Sequence, residues 1–180
     1  ERARMKQMAR GEVPHPPSIT DGLVYTTLQE KATQIAHRNT GKFLDENGSK
    51  VMARVAGDEG LHYRFYHDAA SELFKEKPSA MVLAASRQVI GFAMPGTGIP
   101  GFGEHARIIS GAGIYDLGHF VFSIAKPNLE SWDFDTLEGL TPEADQARED
   151  TNKHLDKLGR IALRLKERRE ERTAKAGDAS

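Results

Sequence analysis

Apolar residues in this chain recur mainly at spacings of three and four, and that period limits the possible folds more than any other feature. Strand-like alternation is scarce and only 7% of residues are aromatic. A repeat close to 3.6 puts such residues on one face of a helix, so the expected class is all-α. Residues 1–10 read as the tail of a helix that stops at Gly11, followed by an extended segment through Pro14, Pro16 and Pro17. Helix resumes near Asp21, capped by Thr20 or Asp21, with Leu23, Leu28, Ile35 and Ala36 as apolar positions and Gly41 as the exit. A polar connector, Asp45 to Ser49, leads to a second helix over about residues 50–76, stopped before Pro78. Ser79 is expected to cap a third, apolar helix that ends at Met94 and Pro95.

Glycine and proline dominate residues 95–103, which must turn. A shorter, Gly-interrupted helical region is expected over 104–126. Residues 127–150 carry eight acids against the single base Arg148, and read as an exposed acidic linker over 127–142 running into the acidic first turn of the next helix. A long charged helix follows over about 143–173, and residues 174–180 read as a disordered tail. The 180 residues allow a single domain with a real core. Without cysteine, the chain supplies no disulfide and no thiolate metal site, which sets a reducing, cytoplasmic location as the expectation. A formal charge of -1 argues against a dedicated nucleic-acid binder, and no apolar run is long enough to span a membrane.

Candidate chemistry centres on Glu59 and His62. Spacing of three puts a carboxylate and an imidazole one turn apart on one helix face, where both can grip the same metal ion. The spelling alone is weak, because Glu12 and His15 repeat it where the prolines forbid a helix. Glu30 adds weight. It lies between the apolar positions Leu28 and Ala32, with Thr33 and His37 on its face, and a carboxylate on a buried stripe is costly unless paired, protonated or metal-bound. Helical bundles with a two-metal carboxylate centre take one Glu from each of two helices and a Glu-x-x-His from each of two others. A lone-Glu helix followed by a Glu-x-x-His helix is half of that pattern.

The segment from Gly22 to Phe74, with GLVYTTLQEKATQIAHRNTGK and ARVAGDEGLHYRFYHDAASELF, resembles the second half of soluble acyl-[acyl-carrier-protein] desaturases, in particular their actinobacterial branch. The stretches Phe92 to Gly96 and Gly113 to Asp116 are similar to that branch as well. The resemblance implies a ferritin-like helical bundle with a di-iron centre. It makes Glu30, Glu59 and His62 iron ligands, with Glu59 bridging the two ions. It also matches Thr33 to a threonine on the oxygen-binding side that handles protons, and Asp58 to an acid that orients a histidine ligand from the other half of the site. Each has a plainer reading: Thr33 as a helix threonine bonded back to the backbone, Asp58 as an exposed acid, and His37 as a structural hydrogen-bonder.

The implied activity is O2-dependent introduction of a cis double bond into an acyl chain held on acyl carrier protein, with a ferredoxin-type electron donor and a homodimeric enzyme. The carrier is acidic, so the basic group Arg2, Arg4, Lys6 and Arg10 and the basic helix over 157–175 are candidate docking faces. Leu23, Thr26, Thr27, Phe92 and Met94 are candidates to line an acyl channel, with Gly22 where the chain could approach the helix backbone. In the family the missing Glu and the first Glu-x-x-His lie on two helices upstream of the point where this chain starts. The expectation is therefore an incomplete bundle, truncated at its N-terminus, holding half a di-iron site and inactive in isolation. Two other readings stay open, an inactive ferritin-like interaction module and a di-iron hydroxylase or oxidase on the same frame.

Overall fold

In the computed structural model, which describes residues 18–94 and 100–177, helix α1 (Ile19–Thr40) starts from Ser18, whose hydroxyl accepts the Asp21 backbone N–H at 3.1 Å. The cap thus falls two or three residues earlier than the sequence suggests, and the Asp21 carboxylate accepts from the Ser18 hydroxyl and from Arg87. A single 3-10 turn, Gly41–Phe43, leads to α2 (Glu46–Glu76). The expected connector at 45–49 is itself helical from Glu46 onward, because Asp45 Oδ1 accepts the Gly48 N–H at 2.8 Å and that cap outweighs the poor propensities of Asn47 and Gly48.

So short a connection folds α1 and α2 into an antiparallel hairpin, the principal contact of the molecule. Val24, Leu28 and Ala32 of α1 and Ala56, Ala70 and Phe74 of α2 are buried in it. Helix α3 (Pro78–Ile90) begins with proline at its first turn and buries Met81, Val82, Ala84, Ala85 and Val89. Ser79 does not cap it. Its hydroxyl accepts the Thr141 backbone N–H at 2.9 Å, and the helix ends at Gly91 rather than at Met94.

Past residue 99, Gly101 at φ 80° opens α4 (Phe102–Gly111), a position that favours glycine because no Cβ is present to clash. A π-helical stretch, His119–Ala125, runs directly into α5 (Lys126–Ser131). Here the acidic-linker expectation for 127–142 is corrected. Leu129, Trp132 and Phe134 are core residues, and buried Asn128 donates to the Ile124 carbonyl while accepting from the Tyr63 hydroxyl. The acids sit between these apolar residues and point outward, so bulk composition concealed a buried stripe. Helix α6 (Pro142–Gly177) buries Ala144, Thr151, Leu155 and Ala162 at heptad-like spacing and packs on α3.

The described residues contain only helices and turns, consistent with an all-α, ferritin-like bundle. The helix tail at 1–10, the decoy Glu12 and His15, the basic group Arg2 to Arg10 and the last residues of the tail at 178–180 lie outside the described residues. Residues 174–177 of that tail belong to α6.

Candidate metal centre

Glu30 projects from α1 and Glu59 and His62 from α2, so pairing of the two helices brings together residues far apart in sequence. One potential ligand atom from each of the three lies within 4.8 Å of the others. His62 Nδ1 is 3.2 Å from Glu59 Oε2 and 3.5 Å from Glu30 Oε2. His37, two turns along α1 from Glu30, sets Nε2 at 3.6 Å from Glu59 Oε1. The helices approach closely beside this turn: a Cβ on Gly60 would collide with the Gln34 side chain.

Two carboxylates this close cannot both carry charge cheaply. Burial, and then the Glu59 carboxylate beside it, push Glu30 up to about 7, while Glu59 is held below its usual range chiefly by the hydrogen bond from Glu30. The pair therefore shares one proton in a place where a cation would satisfy both. Two oxygen donors, one imidazole and no thiolate suit iron or manganese better than a structural zinc, so the residues fit a metal of that type. Exposure is uneven around the cluster, since the side chains of Glu30 and Glu59 are 14% and 19% exposed but that of His62 is 58% exposed.

Thr33 and Asp58 are not drawn into the cluster. The Thr33 hydroxyl donates to the carbonyls of Glu30 at 3.0 Å and Gln29 at 3.2 Å, and Asp58 Oδ1 lies 3.6 Å from Arg54 Nε on the outer side of α2. Of the channel candidates, Thr27 is fully buried and bonds the Leu23 carbonyl, while Phe92 stacks on Phe120 with centroids 4.7 Å apart.

One polar network escaped sequence reading. Asp116 Oδ1 meets His119 Nδ1 at 2.8 Å, Asp116 Oδ2 accepts from Arg169 at 2.8 Å, and Asn39 donates to the Ile114 carbonyl at 2.9 Å beside His119. The signal was the same spacing of three that marks Glu59 and His62. His67, too, has a structural role: it bonds Ser131 at 2.7 Å and stacks on Trp132.

A bundle of antiparallel helices that turns two glutamates and a histidine toward one point defines an all-α protein with a group able to hold a metal ion. The family model described as fatty acid desaturase matches residues 1–179, and the chain belongs to that family. It is 34% identical over 134 residues to a Mycobacterium tuberculosis protein bearing the name acyl-[acyl-carrier-protein] desaturase DesA1, covering 74% of this chain and 40% of that protein. It is 30% identical to a chloroplastic stearoyl-[acyl-carrier-protein] 9-desaturase of Gossypium hirsutum, with 84% of this chain and 40% of the relative covered. With the chloroplastic acyl-[acyl-carrier-protein] desaturase 6 of Oryza sativa subsp. japonica the identity is 31%, covering 98% of this chain and 44% of the relative. The chain thus spans about two fifths of the length of these relatives. No helix among the described residues is long and apolar enough to cross a membrane.

Proposed function

We propose that this chain carries half of the di-iron centre of an enzyme that desaturates an acyl chain held on acyl carrier protein. The observation that carries the reading is the convergence of Glu30 with Glu59 and His62 across two paired helices; family membership and the names of the relatives set the substrate class. Overall, the acyl chain loses two hydrogens, O2 takes these together with two electrons delivered one at a time by a ferredoxin-type donor and two protons from solvent, and two waters leave. Bound iron supplies the oxygen-activating redox chemistry that breaking unactivated C–H bonds requires.

The chain's own residues hold and orient. Glu30, Glu59 and His62 are the residues that would hold the iron. His37 steadies Glu59 from behind at 3.6 Å. Thr33 is the candidate to pass protons once its hydroxyl leaves the backbone carbonyls, and Asp58 the candidate to orient a histidine ligand from the other half of the centre. Leu23, Thr27, Phe92 and Met94 line the side along which an acyl chain would run. The basic face of α6 is the candidate dock for the acidic carrier in a cytoplasmic, homodimeric enzyme.

The test is mass spectrometry of the acyl group after incubation of iron-loaded protein carrying both halves of the centre with acyl carrier protein substrate, ferredoxin, reductant and O2, the half-site chain alone being expected to leave the acyl group unchanged. A product lighter by two hydrogens, lost with Glu59→Ala, is expected. An unchanged acyl chain from protein that holds its iron would reject the assigned reaction. Reversing charges on α6 is expected to weaken carrier binding steeply at low salt and little at high salt.

A further inference from the structure

We propose that the cleft between α4 and α6 binds an organic phosphate monoester, its phosphate held by Arg107, Arg168 and Arg169. This site shares no residue with the Glu30, Glu59 and His62 cluster, and because its ligand is a small molecule it does not depend on a carrier docking on α6.

Shape is the first reason. Residues of α4 and of 116–118 form one wall and residues 162–169 of α6 the other, around a cleft of about 380 Å³. That volume falls in the range of small-molecule sites and leaves more room than a bare phosphate ion needs. Leu117 and Leu165 line it beside the arginines, and Leu165 is 47% exposed, so the carbon part of a ligand has apolar surface to cover.

Charge then selects the ligand. Three of the lining residues carry a guanidinium and one, Asp116, a carboxylate, in a chain whose formal charge is -1 overall. Positive charge is thus concentrated at one concave place, which raises the local concentration of anions. A phosphate monoester brings about 1.5 to 2 negative charges at pH 7 and balances the excess, whereas a carboxylate brings only one. Guanidinium forks also match phosphate oxygens in pairs, and Ser110 adds a hydroxyl donor to the lining. Part of the cradle is already set. Asp116 Oδ2 accepts from Arg169 at 2.8 Å, while Asp116 Oδ1 accepts the His119 backbone N–H at 3.0 Å and lies 2.8 Å from Nδ1 of the same histidine. Arg169 is oriented before any ligand arrives, which lowers the ordering cost of binding. Arg107 and Arg168 are exposed, and the one acid of the cleft is engaged with Arg169, so their charge is left for a ligand.

Isothermal titration calorimetry of the full chain at low salt, with n-butyl phosphate and with inorganic phosphate, tests this. Expected is one butyl phosphate bound per chain, more tightly than inorganic phosphate, with an affinity that falls as salt rises. Arg107→Gln and Arg168→Gln should each weaken binding at least about tenfold. Lys75→Glu, a larger charge change on an exposed stretch of α2, should leave it unchanged. Leu165→Gln should remove the preference for butyl phosphate and spare inorganic phosphate, a split that general charge attraction would not produce. Arg107, Arg168 and Leu165 are all exposed, so these variants keep the fold, as their denaturation midpoints check. Equal affinity of the unaltered chain for the two phosphates overturns the assignment to an organic ester. Unchanged binding in both arginine variants, or no saturable binding of either phosphate, overturns the site.

Discussion

Helix α2 is built on two different principles along its length. Toward its C-terminal end, Phe74 is 2% exposed and stacks on Trp132 with centroids 4.9 Å apart, in a cluster that also takes in Ala70, Leu129 and Phe134. Three to four turns earlier, the Glu59–His62 turn is polar, pinned to α1 on one side and open on the other. Apolar burial stabilises the first region by itself, whereas the second gathers like charges whose attraction for one another comes only through a shared proton or a shared cation. Stability and chemistry are thus kept on separate stretches of one helix, and each can be disturbed without the other.

The largest expected effect falls on the apolar end. Phe74→Ala should destabilise the fold by about 3–5 kcal/mol through the cavity it leaves, seen as a lower denaturation midpoint, while the metal affinity of the molecules that stay folded is retained. The reverse separation is expected at the polar end: His62→Ala should lower iron affinity about a hundredfold, measured by metal titration, and leave the midpoint nearly unchanged because the side chain is largely in solvent. If the midpoint fell as far as in Phe74→Ala, the division between the two regions would be wrong.

Smaller effects sharpen the boundary. Arg87, then Ser18 and Gln88, hold Asp21 at about 2 against the opposition of burial. A lowered carboxyl contributes stability above its unfolded value, near 4, and loses it as pH falls toward 2. Asp21→Asn should therefore cost up to about 1 kcal/mol at pH 6, the exposure of Arg87 limiting the amount, and nothing near pH 2, as chemical denaturation at the two pH values would reveal. Least of all is expected from Thr33→Val, about 0.5 kcal/mol or less in stability, since its hydroxyl bonds only carbonyls already used by the helix. A much larger drop in turnover than in stability would assign Thr33 to the chemistry.

Much of this was legible before any coordinates. The period of three and four residues located α1, α2, α3 and α6 within a few residues at each end, because it reports a single buried face; the region expected over 104–126 instead divides into α4 and a π-helical stretch that runs on into α5. It failed where local chemistry outweighed the pattern: at Asp45, whose side chain starts α2 early, and at Ser79, whose hydroxyl serves Thr141 instead of its own helix. It failed most at 127–142, where Leu129, Trp132 and Phe134 are too few among the acids to set the local average yet are buried in the core. In the site, the Glu59 and His62 pair is a matter of helix geometry alone. That His37 reaches Glu59, and that Asp116 gathers His119 and Arg169, depends on how helices distant in sequence come to lie together.

The sequence by itself determined that the chain is helical, that Glu59 and His62 share one face, and that Glu30 sits on an apolar stripe, since each follows from 3.6 residues per turn. Only the tertiary structure decided that Glu30 meets the other two and that His62 is left facing solvent. Those outcomes depend on the register and spacing of α1 against α2, which are set by side-chain packing between the helices and not by any property local to either one.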